Sequence, residues 1–386
     1  MEPFEIDIWH MEQALRLAER GRGAVEPNPM VGCVIAQGCE IIGEGWHRRF
    51  GGPHAEIEAL KVAGDRSRGA TMIVTLEPCC HHGKTPPCTE AILRSGIRRV
   101  VVAMRDPYEK VSGHGLEQLR DAGVEIVTEV CESAARKLNA PYLKRLKTGR
   151  PWVIAKWAMT ADGRIATHTG SSRWVSGTDS RRLVHEIRGR VDAIMVGRET
   201  VRADNPMLTA RPEDPAKVLR RATRIVFDTR GTLASSSNLV KTAKEIPVLV
   251  AVGTAAYAND VKRLEKSGCE VLVCRSGTHV GRLMELLDEL GRRGMTNLFV
   301  EGGGRLFGGL FDARQMDEVH IFIAPKLVGG EASPNPIDGE GVALMEAATT
   351  LEDPRWQPVG TDIYLSGRVI HRSQPDSVAP DTSSGQ

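Results

Sequence analysis

Residues 53–88 read PHAEIEALKVAGDRSRGATMIVTLEPCCHHGKTPPC, and this stretch organises the amino-terminal half of the chain. It contains one imidazole, His54, and two thiols that each follow a proline, Cys79 and Cys88. These side chains suit zinc, and three protein ligands leave the fourth tetrahedral position open for water, as in a catalytic zinc site. Glu56 lies two residues after His54, close enough for its carboxylate to sit beside that water. The stretch therefore predicts a metal centre with Glu56 as its catalytic carboxylate.

A structural zinc site is the other interpretation of these residues. It would need a fourth protein ligand, and Cys80, His81 or His82 could supply one. Neighbouring side chains on an extended or turning chain point apart, so Cys80 is not expected to join Cys79. A His-x-Glu followed by Pro-Cys and a further Cys is typical of zinc-dependent deaminases, in which the Glu moves protons and does not bind metal. The spacing here is longer than the short form of that pattern, because eight residues separate the two thiols.

The composition is that of an ordinary globular protein. The chain of 386 residues is long enough for two domains, and its 41% hydrophobic and 26% charged residues are usual values. A formal net charge of +2 without a long basic run gives no support for nucleic-acid binding. No apolar stretch approaches the length of a membrane span, and residues 1–8 lack the profile of a signal peptide. The eight cysteines do not suggest a disulfide framework, so we expect a cytoplasmic protein that binds neither nucleic acid nor membrane.

Helices and strands are expected to alternate in the first half. The predicted strands lie at residues 31–35, 40–45, 70–76, 99–104 and 125–128. The predicted helices lie at residues 8–20, from 54 onwards, 88–95 and 116–123. The metal ligands therefore fall at the starts of helices or at the end of a strand, and the alternation favours a three-layer α/β domain.

The second half begins after a basic, polar passage over residues 138–150, where we place a domain boundary. Strands and helices alternate again, and an antiparallel edge near residues 363–370 is expected to close the sheet. A strand over 298–301 runs into Gly302-Gly303-Gly304 and a helix, an arrangement that lets backbone amides approach a phosphate. The triplet could also be only a tight turn, and it is not the dinucleotide motif G-x-G-x-x-G.

Five strings together resemble a known family. They are PNPMVGCVI (27–35), GEGWHRRFGGPHAEIEAL (43–60), VTLEPCCHHGKTPPCTEAI (74–92), KWAMTADGRIA (156–166) and VEGGGRLFGGLF (300–311). The first half resembles the cytidine-deaminase-like superfamily, and residues 11–372 resemble the bifunctional deaminase–reductase family of riboflavin biosynthesis. The resemblance implies a cytidine-deaminase-like three-layer α/β/α domain followed by a dihydrofolate-reductase-like α/β domain. It implies a zinc-dependent deaminase over 1–147, an NADPH-dependent reductase over 151–372 and a disordered tail over 373–386.

For the first domain, the resemblance implies hydrolytic removal of the 2-amino group of a diaminopyrimidinone ribosyl phosphate. One zinc ion per chain would lower the pKa of bound water, and Glu56 would pass the proton to the ring nitrogen and then to the departing ammonia. Asn28, His47 and Lys84 match positions near the substrate in similar deaminases. Asn28 could instead be a turn residue between two prolines, and Lys84 a solvated loop charge.

For the second domain, the resemblance implies that a hydride from NADPH passes to C1′ of the ribosyl group and opens it to a ribityl chain. The positions that match NADPH contacts are Ala158, Trp174, Thr200, Asp204, Thr229, Gly303, Gly304, Arg305, Leu306, Phe307, Gly308 and Gly309. The positions that match substrate contacts are Ser172, Arg188, Leu208, Arg211 and Glu301. Arg188 and Arg211 are expected to clamp the 5′-phosphate, because a guanidinium binds phosphate in a fork. Lys156, Asp204 and Glu301 are expected nearest the ribose, and each could alternatively be a surface ion pair.

The chain departs from the family at one place and leaves two rival functions open. The family tends to read Asp-Pro-Asn-Pro where this chain has Asp-Pro-Tyr-Glu over 106–109, so Tyr108 replaces an amide that would bind substrate. One rival is a deaminase of free nucleosides or nucleic acid with a degenerate second domain. The other is a zinc-stabilised nucleotide-binding regulator without turnover. The family resemblance also implies a homo-oligomer, either a dimer or a tetramer, that acts on a small phosphorylated pyrimidine.

Overall fold

The structure is a computed structural model that describes residues 2–82 and 86–371. The predicted substrate residue Lys84 and the predicted tail over 373–386 lie outside the described residues. Two mixed α/β units follow one another along the chain, one built on a five-stranded sheet and the other on a nine-stranded sheet. The described residues include no helix that combines the length and the apolar character needed to cross a membrane.

The first unit has helices on both faces of its sheet, whose strand order is β2-β1-β3-β4-β5. Its elements are α1 (Pro3–Glu19), β1 (Gly32–Gln37), β2 (Glu40–Trp46), α2 (Ala55–Ala63), β3 (Thr71–Val74), α3 (Cys88–Ser95), β4 (Arg99–Val102), α4 (His114–Asp121), β5 (Glu125–Val127), α5 (Glu132–Leu138) and α6 (Ala140–Thr148). β1 pairs antiparallel with β2 and β3, whereas β3, β4 and β5 are parallel. The predicted three-layer domain is confirmed.

The pleat of β4 explains how this sheet holds two cores. Val100 and Val102 point to the side of α2, α3 and α4, while Val101 between them packs with residues of α1 and α5. On the first of these faces, α2 lies close against β2 because residue 45 is glycine. A Cβ at Gly45 would lie 2.3 Å from the carbonyl oxygen of Ala55, which is too close for any other residue. This approach sets the position of the first turn of α2.

The second unit is a nine-stranded sheet of order β10-β9-β8-β7-β11-β6-β12-β14-β13. Its elements are β6 (Trp152–Thr160), α7 (Thr178–Arg188), β7 (Ala193–Gly197), α8 (Arg198–Asp204), β8 (Thr223–Phe227), α9 (Asn238–Lys241), β9 (Val248–Gly253), α10 (Ala258–Lys266), β10 (Glu270–Cys274), α11 (His279–Arg292), β11 (Asn297–Val300), α12 (Gly304–Asp312), β12 (Glu318–Ala324), β13 (Thr350–Val359) and β14 (Asp362–Ile370). The strands from β10 to β12 are parallel, and β14 and β13 form the antiparallel edge. The prediction placed an antiparallel edge near residues 363–370, where β14 lies. It did not include the outer strand β13.

Residues 138–150, expected to be a polar linker, are mainly helical. α6 occupies most of this passage and buries Tyr142, and Asn139 just before it is also buried. The side chain of Asn139 forms two hydrogen bonds with the backbone of Met30, one from Met30 N at 2.8 Å and one to Met30 O at 2.9 Å. The passage was misread because it carries four basic residues, only two of its residues are buried, and one of these, Asn139, is bonded to a residue 109 positions away in sequence.

The contacts that join the units include two sets of hydrogen bonds. Nζ of Lys144, in α6, donates a hydrogen bond of 2.5 Å to Asp317, which also accepts one of 2.6 Å from the backbone amide of Val153. Arg220 of the second unit donates from Nε to the carbonyl oxygen of Gly23 and from Nη2 to that of Glu26, each at 2.9 Å. Helix α6 therefore belongs to the first unit by sequence, and the charged side chain of its Lys144 contacts the second unit.

Candidate active sites

The three predicted metal ligands meet at one point of the first unit. His54 precedes α2, Cys79 follows β3, and Cys88 is the first residue of α3. Nδ1 of His54 lies 3.5 Å from Sγ of Cys79 and 3.3 Å from Sγ of Cys88. All three donor atoms lie within 4.8 Å of one another. Tetrahedral zinc with bonds of about 2.0–2.3 Å needs donor separations of roughly 3.5–3.8 Å, so these residues fit the ion.

Cys80 does not join this donor set. Its Sγ lies 3.7 Å from the carbonyl oxygen of Lys110, and His82 lies 3.4 Å from Glu90. Among the described residues, the only cluster of three metal-binding donors is the one formed by His54, Cys79 and Cys88. The hydrogen bond from Cys88, opposed by burial and assisted by His54, lowers the pKa of Cys79 to about 4. This arrangement favours an open, catalytic site over a structural site with four protein ligands.

Three buried carboxylates line the adjoining cavity, those of Glu56, Glu77 and Asp106, and the first two have different surroundings. Glu77 accepts hydrogen bonds from four backbone amides, those of Asp106, Gly113, Gly115 and Leu116, at 3.0 to 3.4 Å. Its oxygens are thereby committed to holding the start of α4 and the chain before it. Glu56, in the first turn of α2, is 3% exposed, and burial raises its pKa while His54 acts in the opposite direction. A carboxylate with a raised pKa is suited to exchange protons near neutral pH.

The cavity beside the metal ligands has a volume of about 370 Å³. Asn28 and His47 line it, and Nδ2 of Asn28 lies 3.2 Å from Nε2 of His47. Nδ1 of His47 lies 2.9 Å from the carbonyl oxygen of Pro53, to which it must donate, so Nε2 is the acceptor for Asn28. The amide oxygen of Asn28 is left as an acceptor for a ligand. Burial lowers the pKa of His47, which keeps the imidazole neutral.

The α6 side of this cavity was not predicted from the sequence. Tyr142, Arg145 and Leu146 line it together with Tyr108. The hydroxyl of Tyr142 donates a hydrogen bond of 2.9 Å to Asp106. Within the described part of the chain, Nε of Arg145 is buried and has no hydrogen-bond partner. These residues reach the site because α6 replaces the expected linker. Their position depends on the tertiary packing of α6, which the local sequence does not indicate.

The second unit contains a larger cleft of about 850 Å³ at the carboxyl ends of its central parallel strands. The predicted residues that line it are Lys156, Ala158, Ser172, Trp174, Arg188, Thr200, Asp204, Leu208, Arg211, Glu301 and Gly303. A neighbouring cavity of about 600 Å³ is lined by the predicted residues Thr200, Thr229, Gly303, Gly304, Arg305 and Leu306. Phe307, Gly308 and Gly309 line neither space, because they belong to the buried face of α12. The expected loop over 303–309 is therefore largely helix.

A buried ion pair organises the floor of the large cleft. Arg188 donates to Glu301 through both nitrogens of its fork, and Nζ of Lys156 lies 3.9 Å from the same carboxylate. Burial lowers the pKa of Lys156 although Glu301 acts against this shift. The pKa of Glu301 is itself lowered, because Arg188 and Lys156 outweigh the effect of burial. Elsewhere in the cleft, Ser172 donates a hydrogen bond of 2.9 Å to Asp204.

Loops cover the other side of the cleft. Trp174 is 63% exposed, and the guanidinium of Arg181 lies 4.4 Å from the centre of its ring. Nζ of Lys326 donates to the carbonyl oxygens of Trp174 and Val175 at 2.6 and 3.0 Å. Asp162 holds the chain just after Lys326, since its carboxylate accepts a hydrogen bond of 2.7 Å from the amide of Gly329. The position of the Trp174 ring thus depends on residues that sequence reasoning did not assign.

Comparison with known proteins gives two family matches along the chain. The family described as the RibD C-terminal domain matches residues 151–365. The cytidine and deoxycytidylate deaminase zinc-binding region matches residues 4–104. The riboflavin biosynthesis protein RibD of Actinobacillus pleuropneumoniae is 40% identical over 367 residues, which cover 94% of this chain and 96% of that protein.

Two solved structures are similar over almost the whole chain. Acinetobacter baumannii RibD (form 1) has a TM-score of 0.83 and 33% identity, with 95% of this chain and 100% of that chain covered. The diaminohydroxyphosphoribosylaminopyrimidine deaminase/5-amino-6-(5-phosphoribosylamino)uracil reductase of Thermotoga maritima has a TM-score of 0.79 and 33% identity, with 95% and 99% covered. The predicted family, the two-part fold and the zinc and NADPH cofactors are confirmed. The chain belongs to the RibD family, the bifunctional deaminases and reductases of riboflavin biosynthesis.

Proposed function

We propose that this chain acts on the two compounds named for the Thermotoga maritima protein. The first unit would deaminate the diaminopyrimidine, and the second would reduce the resulting phosphoribosylaminouracil. The observation that carries the proposal is the meeting of His54, Cys79 and Cys88 beside the buried carboxylate of Glu56. A regulator without turnover would not need a buried carboxylate with a raised pKa next to three metal ligands.

In the first reaction, water adds to C2 of the pyrimidine and the bond from C2 to the amino nitrogen breaks. Zinc supplies a Lewis acid that makes water nucleophilic near neutral pH. Glu56 accepts the first proton that water loses and gives it to the ring nitrogen, then accepts the second from the C2 hydroxyl and gives it to the departing ammonia. His47 orients Asn28, whose amide oxygen holds the ring by a hydrogen bond. Arg145, with its unpartnered Nε, is our candidate for the substrate phosphate.

In the second reaction, a hydride adds to C1′ of the ribosyl group, the bond from C1′ to the ring oxygen breaks, and that oxygen takes up a proton. NADPH supplies the hydride. Lys156 lines the cleft and is buried, and its lowered pKa suits its ammonium group to donate this proton. Glu301, which is held by Arg188, orients the ammonium group of Lys156. Arg211 lines the cleft and is exposed, and we assign it the 5′-phosphate, because the fork of Arg188 is already bound to Glu301.

The test follows zinc content, ammonia release and NADPH absorbance in one sample supplied with the diaminopyrimidine substrate. We expect about one zinc per chain, ammonia release and then loss of NADPH absorbance. Ammonia without NADPH oxidation, even when the deaminated compound is supplied directly, would leave a deaminase with a silent second unit. If the chain contains zinc but releases no ammonia, the zinc of the first unit has a structural role.

We also propose that the chain is a cytoplasmic homodimer. Its eight cysteines are free thiols, two of which are metal ligands that require a reducing environment. For the dimer, the supporting feature is the outer edge of β13, which pairs with no further strand among the described residues. Trp356 on this strand is 61% exposed, and Leu344 and Met345 just before it are 62% and 87% exposed. Sedimentation of the wild type and of Trp356→Glu should show a dimer and a monomer, and a monomeric wild type would refute the interface.

A further inference from the structure

The loop that carries Asn28 is held from the second unit. This loop runs over residues 21–28, between α1 and β1, and is folded by its own backbone hydrogen bonds. Arg220, in the segment before β8, donates from Nε to the carbonyl oxygen of Gly23 and from Nη2 to that of Glu26, each at 2.9 Å. One guanidinium therefore bonds the loop at two points, the second of them two residues before Asn28.

Arg220 is itself fixed by the sheet of the second unit. Its Nη1 is bonded to Asp192, whose other carboxylate oxygen accepts hydrogen bonds from the backbone amides of Thr296 and Asn297 at 2.8 and 2.9 Å. These partners lie at or just before the starts of β7 and β11, which are neighbouring strands. Both side chains of the Arg220–Asp192 pair are mostly buried, so salt screens the pair less than it screens a surface pair. Arg220 is therefore a donor held in place by the sheet.

The loop also lies close against the second unit. Gly23 has a φ of +81°, and a Cβ at this position would lie 2.8 Å from Cβ of Arg190, which follows α7. Glu26 is buried, and one of its carboxylate oxygens accepts a hydrogen bond of 2.9 Å from the amide of Gly23. The other oxygen lies 3.6 Å from Nη2 of Arg220. The loop is thus closed on itself by Glu26 and joined to the second unit by Arg220.

The same loop determines where the side chain of Asn28 lies. Nδ2 of Asn28 is bonded to Nε2 of His47 at 3.2 Å, which leaves the amide oxygen for the pyrimidine ring. On the side of the chain after Asn28, the side chain of Asn139 bonds both backbone groups of Met30. On the side before it, the bonds to the second unit come from Arg220. A shift of the loop on this second side would move the amide oxygen away from the ring.

We propose that Arg220 is a positioning residue of the deaminase site, through which the second unit holds Asn28 in the geometry that binds the pyrimidine ring. This role of Arg220 rests on the proposed function of Asn28 in binding the ring. Arg220 does not line the deaminase cavity and acts only through the loop. It therefore affects substrate binding more than the chemical step, which belongs to Glu56 and the metal. The deaminase site is complete only when the second unit is in place.

The first test compares Arg220→Ala with Arg221→Ala in the zinc-loaded full-length chain. Arg221 is the matched control, because it is the next residue and its guanidinium bonds the carbonyl oxygen of Glu245 within the second unit, at 3.1 Å. In Arg220→Ala, the KM for the diaminopyrimidine in ammonia release should rise about tenfold, since a displacement of about 1 Å in a contact group can cost up to about 10²-fold. The kcat should change by less than about threefold, because the lost contact is made in the ground state as well as in the transition state. Arg221→Ala should leave both constants within about twofold.

A double-variant cycle separates positioning from a general loss of stability. Asn28→Ala should raise KM by itself, and adding Arg220→Ala should raise it by less than about twofold further, because the residue through which Arg220 acts is gone. Arg220→Lys should lie between the wild type and Arg220→Ala, since an ammonium group cannot reproduce the fork that bonds two carbonyl groups. Zinc content and NADPH oxidation with supplied deaminated compound should stay the same in every variant. If Arg220→Ala loses either of them, Arg220→Lys takes its place in the cycle.

Three outcomes would overturn the assignment. An unchanged KM in the Arg220 variant would show that the loop holds Asn28 without this guanidinium. An equal rise in KM with and without the Asn28 side chain would mean that Arg220 acts by another route. A similar rise in Arg221→Ala would assign the effect to charge near the boundary. A wild type that releases no ammonia would instead refute the proposed deaminase function, and an unchanged KM in Asn28→Ala would refute the role of Asn28, so these failures are distinct from the other three.

Discussion

Arg188 donates two nearly parallel hydrogen bonds to Glu301, from Nε to Oε1 at 2.6 Å and from Nη2 to Oε2 at 2.9 Å. The two side chains are only 12% and 11% exposed, and 113 residues separate them in sequence. This geometry leaves Nη1 and the second N–H of Nη2 for other partners, and Nη1 lies 3.3 Å from the carbonyl oxygen of Thr209. Arg188 therefore serves first to hold Glu301 at the cleft floor.

Removing one partner of this pair should destabilise the second unit. In Arg188→Ala, the buried carboxylate of Glu301 would keep only Lys156, 3.9 Å away. We expect the free energy of unfolding to fall by about 3–5 kcal/mol, measured with urea. The double variant R188M/E301L should recover part of this loss, because it removes both charges of the pair but leaves Lys156 without its carboxylate partner. If the free energy of unfolding of the single variant falls by less than about 1 kcal/mol, solvent screens the pair as it screens a surface ion pair.

Glu56→Gln should separate metal binding from catalysis. The amide keeps the size of the side chain but cannot accept a proton, so ammonia release should fall by at least about 10²–10⁴-fold. Zinc content should stay the same, because Glu56 is not among the clustered donors. NADPH oxidation with supplied deaminated substrate is the internal control and should not change. Loss of zinc together with activity would instead make Glu56 a ligand.

Removal of zinc should affect one unit only. A chelator should abolish ammonia release, and zinc should restore it, because His54, Cys79 and Cys88 have no substitute ligand in the cluster. NADPH oxidation with the deaminated compound should persist, since the described residues of the second unit contain no comparable donor cluster. Loss of both activities on chelation would mean that the metal also supports the contact between the units.

Two ion pairs between the units should differ in strength. Lys144 and Asp317 are 13% and 10% exposed, whereas Lys137 and Asp353 are 38% and 69% exposed. Lys144→Ala leaves the buried Asp317 carboxylate without its charged partner and should cost about 3–5 kcal/mol. Lys137→Ala should cost less than about 1 kcal/mol. Urea unfolding of both variants tests the difference, and equal effects would contradict the assigned burial of the Lys144 pair.

The Asp162 contact should depend on pH in the acid range. The hydrogen bond from Thr160, with further bonds from the amides of Gly329 and Val328, lowers the pKa of Asp162 to about 2. The value in an unfolded chain is about 3.9. A lowered pKa means that the ionised carboxylate adds stability above about pH 4, and that this contribution is lost as the pH falls towards 2. The difference in Tm between wild type and Asp162→Asn should therefore shrink between pH 5 and pH 2, and a constant difference would refute the assignment.

Much of the metal site could be predicted because its chemistry is local. His54, Glu56, Cys79 and Cys88 fall within 35 residues. The nitrogen and sulfur donor atoms of the histidine and the two cysteines determine which metal ion the site suits. The alternation of apolar segments likewise predicted both α/β units, since a parallel sheet needs a crossover between successive strands. The helix α6 was missed because few of its residues are buried, and propensity alone does not separate such a helix from a charged linker.

The sequence by itself determined the ligand types, the family and the order of helices and strands, because these depend on residue chemistry and on periodicity along the chain. Only the tertiary structure decided that Arg188 pairs with Glu301, that Arg145 reaches the deaminase cavity, and that Arg220 bonds the loop before Asn28. Each of these relationships joins elements far apart in sequence. Their meeting depends on the strand order β7-β11-β6 and on the packing of α6, which involve every neighbouring side chain at once.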